Sequence, residues 1–359
     1  MDRLKPAHPA QRLWFLVPGD LDTPTGGYGY DRRILAGLRA LGWQVEHCRL
    51  AERFPDPDPA DVAQAGSVLA AIPDGATVAI DGLAFGVLPN LAERERHRLR
   101  LLALVHHPLA AETGLDPGRA AALHRAESRA LAAAWRVLAT SRFTARRLAD
   151  YGVPDSRIRV VAPGTDPAPA ARGRADGVLR LLCVAALVPR KGHDLLLHAL
   201  AALADRPWHL TCVGSAERDP AWAERLIALR TQLGLGARVT LTGVLDAAAL
   251  AQRYAESDLF VLATRFEGYG MVFAEALARG LPILATRAGA VPETVPAPAA
   301  RLVPAEDPHA LSAALGQLLD DAELRRRLAG GSRAAGRRLP TWPQAAAAFA
   351  AVCREGRDG

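Results

Sequence analysis

Lysine is almost missing from this chain. It occurs twice, at Lys5 and Lys191, against 42 arginines, so a sequence that writes nearly every positive charge as arginine keeps one internal lysine. Cysteine is scarce as well. Cys48, Cys183, Cys212 and Cys353 stand apart, with no CxxC and no Cys/His metal spacing, which excludes a disulfide framework or a finger-type zinc module. Cys183 and Cys212 fall inside apolar runs, where a thiol acts as a small hydrophobe. No stretch approaches the ~20 unbroken apolar residues of a membrane helix. The early run LWFLV (13–17) is too short for a signal segment, so the expectation is a cytoplasmic protein. The arginines are scattered without an aromatic-basic motif, and the net charge of +6 therefore does not point to nucleic acid.

What is present is alternation. At 359 residues the chain is long enough for two ordinary domains. Apolar strand-like runs at 13–17, 43–50, 77–83, 100–105, 135–140 and 158–163 are separated by Ala/Leu/Arg-rich stretches of helical period. After PGTDPAPAARGRADG (163–177), which has no period and reads as a linker, the pattern restarts at 179–187, 209–215, 238–244, 259–264, 281–286 and 300–304. Such alternation predicts α/β layers with parallel sheets. The expected division is an N-terminal Rossmann-like domain over 1–165 and a second over 176–339. A last helix within 340–359, led by Trp342, should dock on a surface instead of fraying.

The strongest local signal is TRFEGYGMVFAEALARGLPILAT, which follows the strand LFVLAT. Glu267 and Glu275 bracket Gly268 and Gly270, so a strand, a glycine turn and a helix N-terminus follow one another. Free N–H groups and the helix dipole make that an anion site. Eight helical steps would set the two carboxylates roughly 12 Å apart, about the reach from a hexose to the ribose of a nucleotide diphosphate sugar. A carboxylate is repelled by phosphate but is a good acceptor for sugar hydroxyls. Glu267 then suits the sugar and Glu275 the ribose, with the N–H groups between them on the phosphates. A loop cap and a solvated helix residue are the plain structural alternative.

Three further places carry chemistry. In LVPRKGHD, the strand is expected to end at Val188, and Arg190 and Lys191 lie where open α/β sheets bind ligands; a compact ammonium suits a leaving diphosphate. In PGDLDTPTGGYGYDRRIL, Gly26 and Gly27 open a glycine-rich loop. Its GxGxxG pattern is incomplete because Arg32 occupies the third glycine position, so a dinucleotide-binding dehydrogenase, with Glu46 as ribose acid, is a weak rival. In LVHHP, His106 and His107 follow a strand directly, but no further ligands accompany them for a metal. The pairs Asp20/Asp22 and Asp56/Asp58 read as turn and capping residues, not as cation holders.

These stretches together resemble the retaining glycosyltransferases of family 4, which have the GT-B architecture: two Rossmann-like domains facing across a cleft. The resemblance rests on TGGYGYDRRIL, LVHHP, LVPRKGHDLLLHAL, VTLTGV and FEGYGMVFAEALARGLPILATRAGAVPE, and covers nearly the whole chain. It implies that Glu267 touches the donor sugar, Glu275 the ribose, and His106 the sugar. Lys191, helped by Arg190, would neutralise the diphosphate. The backbone of Gly268, Tyr269, Gly270, Met271 and Val272 would cradle it, and Gly26 and Gly27 would close over it. The last helix would return to the N-terminal domain. One departure stands out: relatives place an arginine five residues before the lysine, and here that position is Ala186.

The implied reaction is metal-independent, cofactor-free transfer of a hexosyl group from a UDP- or GDP-sugar, with retention, to a glycan, lipid or small-molecule acceptor. Basic runs at 93–100 and 141–147 leave a membrane surface open as a partner. A catalytically silent nucleotide-sugar-binding protein, or another GT-B enzyme such as an epimerase, is the alternative.

Overall fold

The computed structural model describes residues 11–174 and 176–356. Lys5 lies outside them. Two compact units divide the chain: the first holds residues 1–111, 115–164 and 341–359, the second 112–114 and 165–340.

In unit 1 the order is β1 (Arg12–Pro18), α1 (Gly26–Ala40), β2 (Gln44–Leu50), α2 (Pro59–Ala70), β3 (Thr77–Asp81), α3 (Gly82–Phe85), α4 (Pro89–Glu95), β4 (Arg100–Val105), α5 (Pro117–Ala133), β5 (Arg136–Ala139), α6 (Arg142–Arg147) and β6 (Ile158–Val160). Unit 2 runs β7 (Leu179–Val184), α7 (His193–Ala201), β8 (Trp208–Val213), α8 (Pro220–Gln232), β9 (Val239–Leu241), α9 (Ala247–Ala255), β10 (Leu259–Leu262), α10 (Met271–Ala278), β11 (Ile283–Thr286), α11 (Val291–Thr294), β12 (Ala300–Val303), α12 (Pro308–Asp320) and α13 (Ala322–Gly336). The chain closes with α14 (Trp342–Arg354), which belongs to unit 1.

All twelve expected strands are present. Several are shorter than the apolar runs that announced them. β7 stops at Val184 rather than Val188, with irregular residues 185–188 ahead of a short 3-10 turn over Pro189–Lys191, and β3 gives way at Gly82 to α3. The sheets run β2-β1-β3-β4-β5-β6 and β12-β11-β10-β7-β8-β9, with parallel pairing throughout. Each sheet reverses direction once, between β1 and β3 in unit 1 and between β7 and β10 in unit 2. In a doubly wound sheet that reversal opens a crevice at the strands' C-terminal ends, where ligands bind.

The strands are apolar on both faces because helices cover both. Val78, Leu102, Val137, Leu182, Phe260 and Leu284 are fully enclosed. Isolated in sequence, Cys183 and Cys212 are neighbours in space, paired in register across β7 and β8, with His193 Nε2 3.7 Å from Cys183 Sγ. All four cysteines are free thiols.

The last helix is built into unit 1. Thr341 and Gln344 form a reciprocal capping box at its start, which satisfies two otherwise orphaned N–H donors. Phe349 stacks on Phe15 of β1 at 5.9 Å, and Trp342 lies edge-on to Tyr30 at 6.1 Å. α1 comes close enough that a Cβ on Gly37 would sit 2.5 Å from Ala346 Cβ. Glu355 then anchors the end through Arg136 (2.8 Å) and Arg159 (2.7 Å).

Candidate functional site

The reversal in unit 2 places two loops side by side, the turn after β7 and the loop after β10. They are laced together through backbone: Arg265 N donates to Arg190 O at 2.7 Å, and Thr264 Oγ1 reaches the same carbonyl at 3.0 Å. Gly192, at φ 65, fits because a Cβ there would strike the Ala263 carbonyl. Arg265 grips Asp194 of α7 with two bonds of 2.9 and 2.8 Å, a bidentate fork that fixes the loop against the turn.

This lacing brings Lys191 onto Glu267. Lys191 Nζ donates to Glu267 Oε1 at 2.6 Å, and both side chains are largely enclosed. Arg190 Nη1 lies 3.9 Å from the other carboxylate oxygen, donates to Phe266 O at 2.9 Å, and its Nε pairs with Glu112 at 3.0 Å. Burial alone would raise the Glu267 carboxyl, but Lys191 and Arg190 outweigh it and hold it below its ordinary value. Burial, reinforced by Arg190, pulls the Lys191 ammonium down against the attraction of Glu267. The cluster sets two cations, Lys191 and Arg190, against two carboxylates, Glu267 and Glu112. Arg190 is the second cation of the turn, and Ala186 stands five residues before the lysine.

Beside the ion pair, α10 begins bare. The helices α8, α9, α12 and α13 each start with an aspartate whose carboxylate accepts a first-turn N–H: Asp219, Asp246, Asp307 and Asp321. α10 starts instead at Gly270, φ 84, with no side-chain cap. A Cβ there would lie 2.6 Å from the Phe273 ring. The first-turn N–H groups of Met271 and Val272 have no intrahelical acceptor and carry the positive end of the helix dipole. Gly268 and Tyr269 shape the loop ahead of them, and Tyr269 O accepts from Thr294 Oγ1 at 2.6 Å.

Because α10 starts at Met271, Glu267 stands in the loop and the straight-helix separation inferred from sequence does not apply. Glu275 is half-buried within α10. Its Oε2 accepts from Tyr254 Oη at 2.9 Å, and burial raises its carboxyl. Tyr254 was not visible from the sequence as part of the site; an aromatic on an Ala-rich helix reads as core, and it is also fully buried.

In unit 1 the corresponding reversal gathers a second group. His106 follows β4, and its Nε2 lies 3.4 Å from Asp31 Oδ1 of α1 and 3.3 Å from Asp81 Oδ2 at the end of β3. His107 is not part of this group. The sequence reading gave the histidines no companions; the fold supplies two aspartates. Burial lowers the imidazole, but Asp31 and Asp81 more than reverse that and bring it to about 10. Burial lifts Asp31 to about 7. Gly26 and Gly27 are not in a loop. They form the first turn of α1 behind the Thr25 cap, and Gly27 makes room for the imidazole, since a Cβ there would be 3.3 Å from His106 Cδ2.

The acidic pairs are structural. Asp58 caps α2 reciprocally with Asp61, Asp56 pairs with Arg119, and Asp20 accepts from Asp22 N at 2.9 Å. Glu46 pairs with Arg12 on the exposed side of β2.

Comparison with known proteins now decides the family. Residues 179–321 match the family described as glycosyl transferases group 1, and residues 75–169 match glycosyltransferase family 4. Both stretches are glycosyltransferase domains, and the chain fits family 4. Among curated relatives, a GDP-mannose-dependent alpha-(1-6)-phosphatidylinositol monomannoside mannosyltransferase of Mycolicibacterium smegmatis is 33% identical over 202 residues, 50% of this chain and 52% of the relative. A D-inositol 3-phosphate glycosyltransferase of Xylanimonas cellulosilytica is 33% identical over 241 residues, 62% and 57%. The chain thus spans about half the length of the curated relatives it matches. Among solved structures, a sucrose-phosphate synthase from Thermosynechococcus elongatus superposes with a TM-score of 0.80 at 22% identity, covering 96% of this chain and 98% of that one. An Anabaena protein crystallised with UDP-glucose gives 0.74 at 19% identity, covering 95% and 99%. The fold of the chain is therefore GT-B. No helix among its described residues is long and apolar enough to cross a membrane.

Proposed function

We propose that this chain transfers a hexosyl group from a UDP- or GDP-sugar to a glycan, lipid or small-molecule acceptor, with retention at the anomeric carbon. The observation that carries the reading is the Lys191–Glu267 pair at 2.6 Å beside the bare start of α10. A glycosyl phosphate presents hydroxyls and phosphate oxygens on adjoining atoms. An acceptor and a cation in direct contact match that juxtaposition: Glu267 takes a sugar hydroxyl, and Lys191 the phosphate next to it. Met271 and Val272 N–H groups, with Arg190 nearby, would stabilise the charge that develops as the diphosphate departs. Glu275, oriented by Tyr254, would accept from the ribose. On this reading Lys191, Arg190 and the helix-end donors would take the place a metal ion fills in other diphosphate sites, and no cofactor is needed. The names of the relatives above, GDP-mannose for one and UDP-glucose for another, support a nucleotide-sugar donor. The inositol-containing acceptors in two of their names favour a polyol or lipid-linked acceptor.

The test is turnover. UDP- and GDP-sugars are incubated with the protein and candidate acceptors, and the anomeric configuration of any product is read by NMR. Nucleoside diphosphate release with a retained anomeric centre is expected. Binding with no release would make the chain a silent nucleotide-sugar binder, and conversion of one nucleotide sugar into another without an acceptor would make it an epimerase.

A further inference from the structure

We propose that Asp31, Asp81 and His106 hold a divalent cation of the zinc or cobalt kind. Three ligand-bearing side chains meet at the β1/β3 reversal of unit 1, one from α1, one from the end of β3 and one from the end of β4. Their ligand atoms all lie within 4.8 Å of one another.

Burial makes this more than an acidic cluster. Asp31 is 0% exposed and Asp81 1%, yet both oxygens of Asp31 and Oδ2 of Asp81 have no hydrogen-bond partner. Buried carboxylates are costly unless paired or bound to metal. His106 faces both at 3.4 and 3.3 Å, but its Nε2 makes a hydrogen bond to neither. The contacts are instead spaced as ligands of a shared ion. Around a tetrahedral ion with nitrogen and oxygen ligands at about 2.0–2.1 Å, adjacent ligand atoms stand about 3.3–3.4 Å apart. Nε2 is 3.4 Å from Asp31 Oδ1 and 3.3 Å from Asp81 Oδ2.

Donor type narrows the ion: imidazole with carboxylates suits zinc and its neighbours better than magnesium or calcium, which prefer oxygen alone. The surroundings are those of a held ligand set. Asp81 Oδ1 accepts from Leu83 N at 2.8 Å, which aims Oδ2 at the imidazole, and Thr140 Oγ1 fixes the His106 carbonyl at 3.2 Å. The His106 side chain is 20% exposed, so an ion can enter and a fourth position can take water or a hydroxyl. None of this uses the donor residues of unit 2.

The experiment uses the full-length chain without a histidine tag, stripped with EDTA, dialysed and titrated with Co²⁺. One equivalent should bind with the intense visible absorption of a tetrahedral N/O site, Zn²⁺ should displace it, and Zn²⁺ should raise Tm. Asp31→Asn should weaken Co²⁺ binding at least about 100-fold, with the circular dichroism spectrum unchanged. If that variant misfolds, His106→Gln gives the same reading. Failure to bind an equivalent, or binding that Asp31→Asn and His106→Gln leave intact, overturns the proposal. Thiolate-to-cobalt absorption overturns it too, since it would place the ion at Cys183, His193 and Cys212. UDP and GDP titrations on the stripped protein report on unit 2 alone, so a failed donor reading and a failed metal site are told apart.

Discussion

Lys191 and Glu267 join the turn after β7 to the loop after β10, Nζ to Oε1 at 2.6 Å, although 76 residues separate them. The contact exists because the sheet reverses between β7 and β10, setting the strand ends that carry them side by side. Arg190 stands beside the pair, 3.9 Å from the second Glu267 oxygen and bonded to Glu112.

Lys191→Arg should be nearly inactive although the charge is kept. A guanidinium is a planar fork that would pair bidentately with Glu267 and lock the carboxylate away from the sugar. Displacement of the donor by even 1 Å costs about 100-fold in rate. Folded variant protein retaining more than about a third of wild-type turnover would reduce Lys191 to a basic turn.

The two glutamates should fail differently. Glu275→Ala should weaken UDP or GDP binding by ~1–3 kcal/mol, the loss of a charged hydrogen bond. Tyr254→Phe should cost less, ~0.5–1.5 kcal/mol, because it removes only the bond that orients Glu275. Glu267→Ala should leave nucleotide affinity intact, since it frees Lys191 for phosphate, yet depress turnover. Calorimetry beside a turnover assay separates them; equal loss of nucleotide affinity in the two alanine variants would refute the assignment.

Stability in unit 1 should fall with rising pH through Glu127. That carboxyl is 1% exposed, accepts from Leu109 N at 2.9 Å, and burial raises it to about 8. A raised acid is protonated in the folded state while the unfolded chain has already ionised. Its stability penalty therefore grows from about pH 4.5 and is complete above about pH 8. Glu127→Gln keeps an acceptor for Leu109 and removes the proton. It should match wild type near pH 5 and gain on the order of 1–3 kcal/mol near pH 8, read as a Tm difference that opens with pH. A difference constant across that range would show that Glu127 does not titrate there.

Gly37→Ala should destabilise, against the usual direction. Alanine in a helix interior gains roughly 0.5–1 kcal/mol over glycine, but the new methyl would sit 2.5 Å from Ala346 Cβ. Overpacking of that kind costs ~1–3 kcal/mol, so the close approach of α1 and α14 should win. A raised Tm in thermal denaturation would show that the helices part freely.

The strands were legible because each is a short apolar run closed by glycine, proline or charge, and both sheets are buried on both faces. Where the sequence reading overran, after Val184 and Asp81, the apolar residues continue past the end of strand pairing, at Gly82 because a helix begins there. Lys191 stood out by composition, and Glu267 and Glu275 by their place around a glycine turn. Their partners were hidden. Asp31, Asp81 and His106 meet only because the sheet crosses over between β1 and β3, and no local pattern records which strand ends become neighbours. Tyr254 was hidden for a simpler reason: a tyrosine that packs a core and donates to one carboxylate leaves the same trace as one that only packs. Gly26 and Gly27 were misplaced in a loop because Thr25, a good cap, starts the helix earlier than the glycines suggest.

The most direct test of the donor reading is calorimetric titration of UDP and GDP, in EDTA, into the wild-type chain and Lys191→Met. One-to-one binding of at least one nucleotide by the metal-free wild type, and binding at least about tenfold weaker in the variant, a difference of about 1.4 kcal/mol, is the predicted result. Absence of binding to the wild type, binding that appears only when Mg²⁺ or Mn²⁺ is restored, or equal affinity in the two proteins would contradict it.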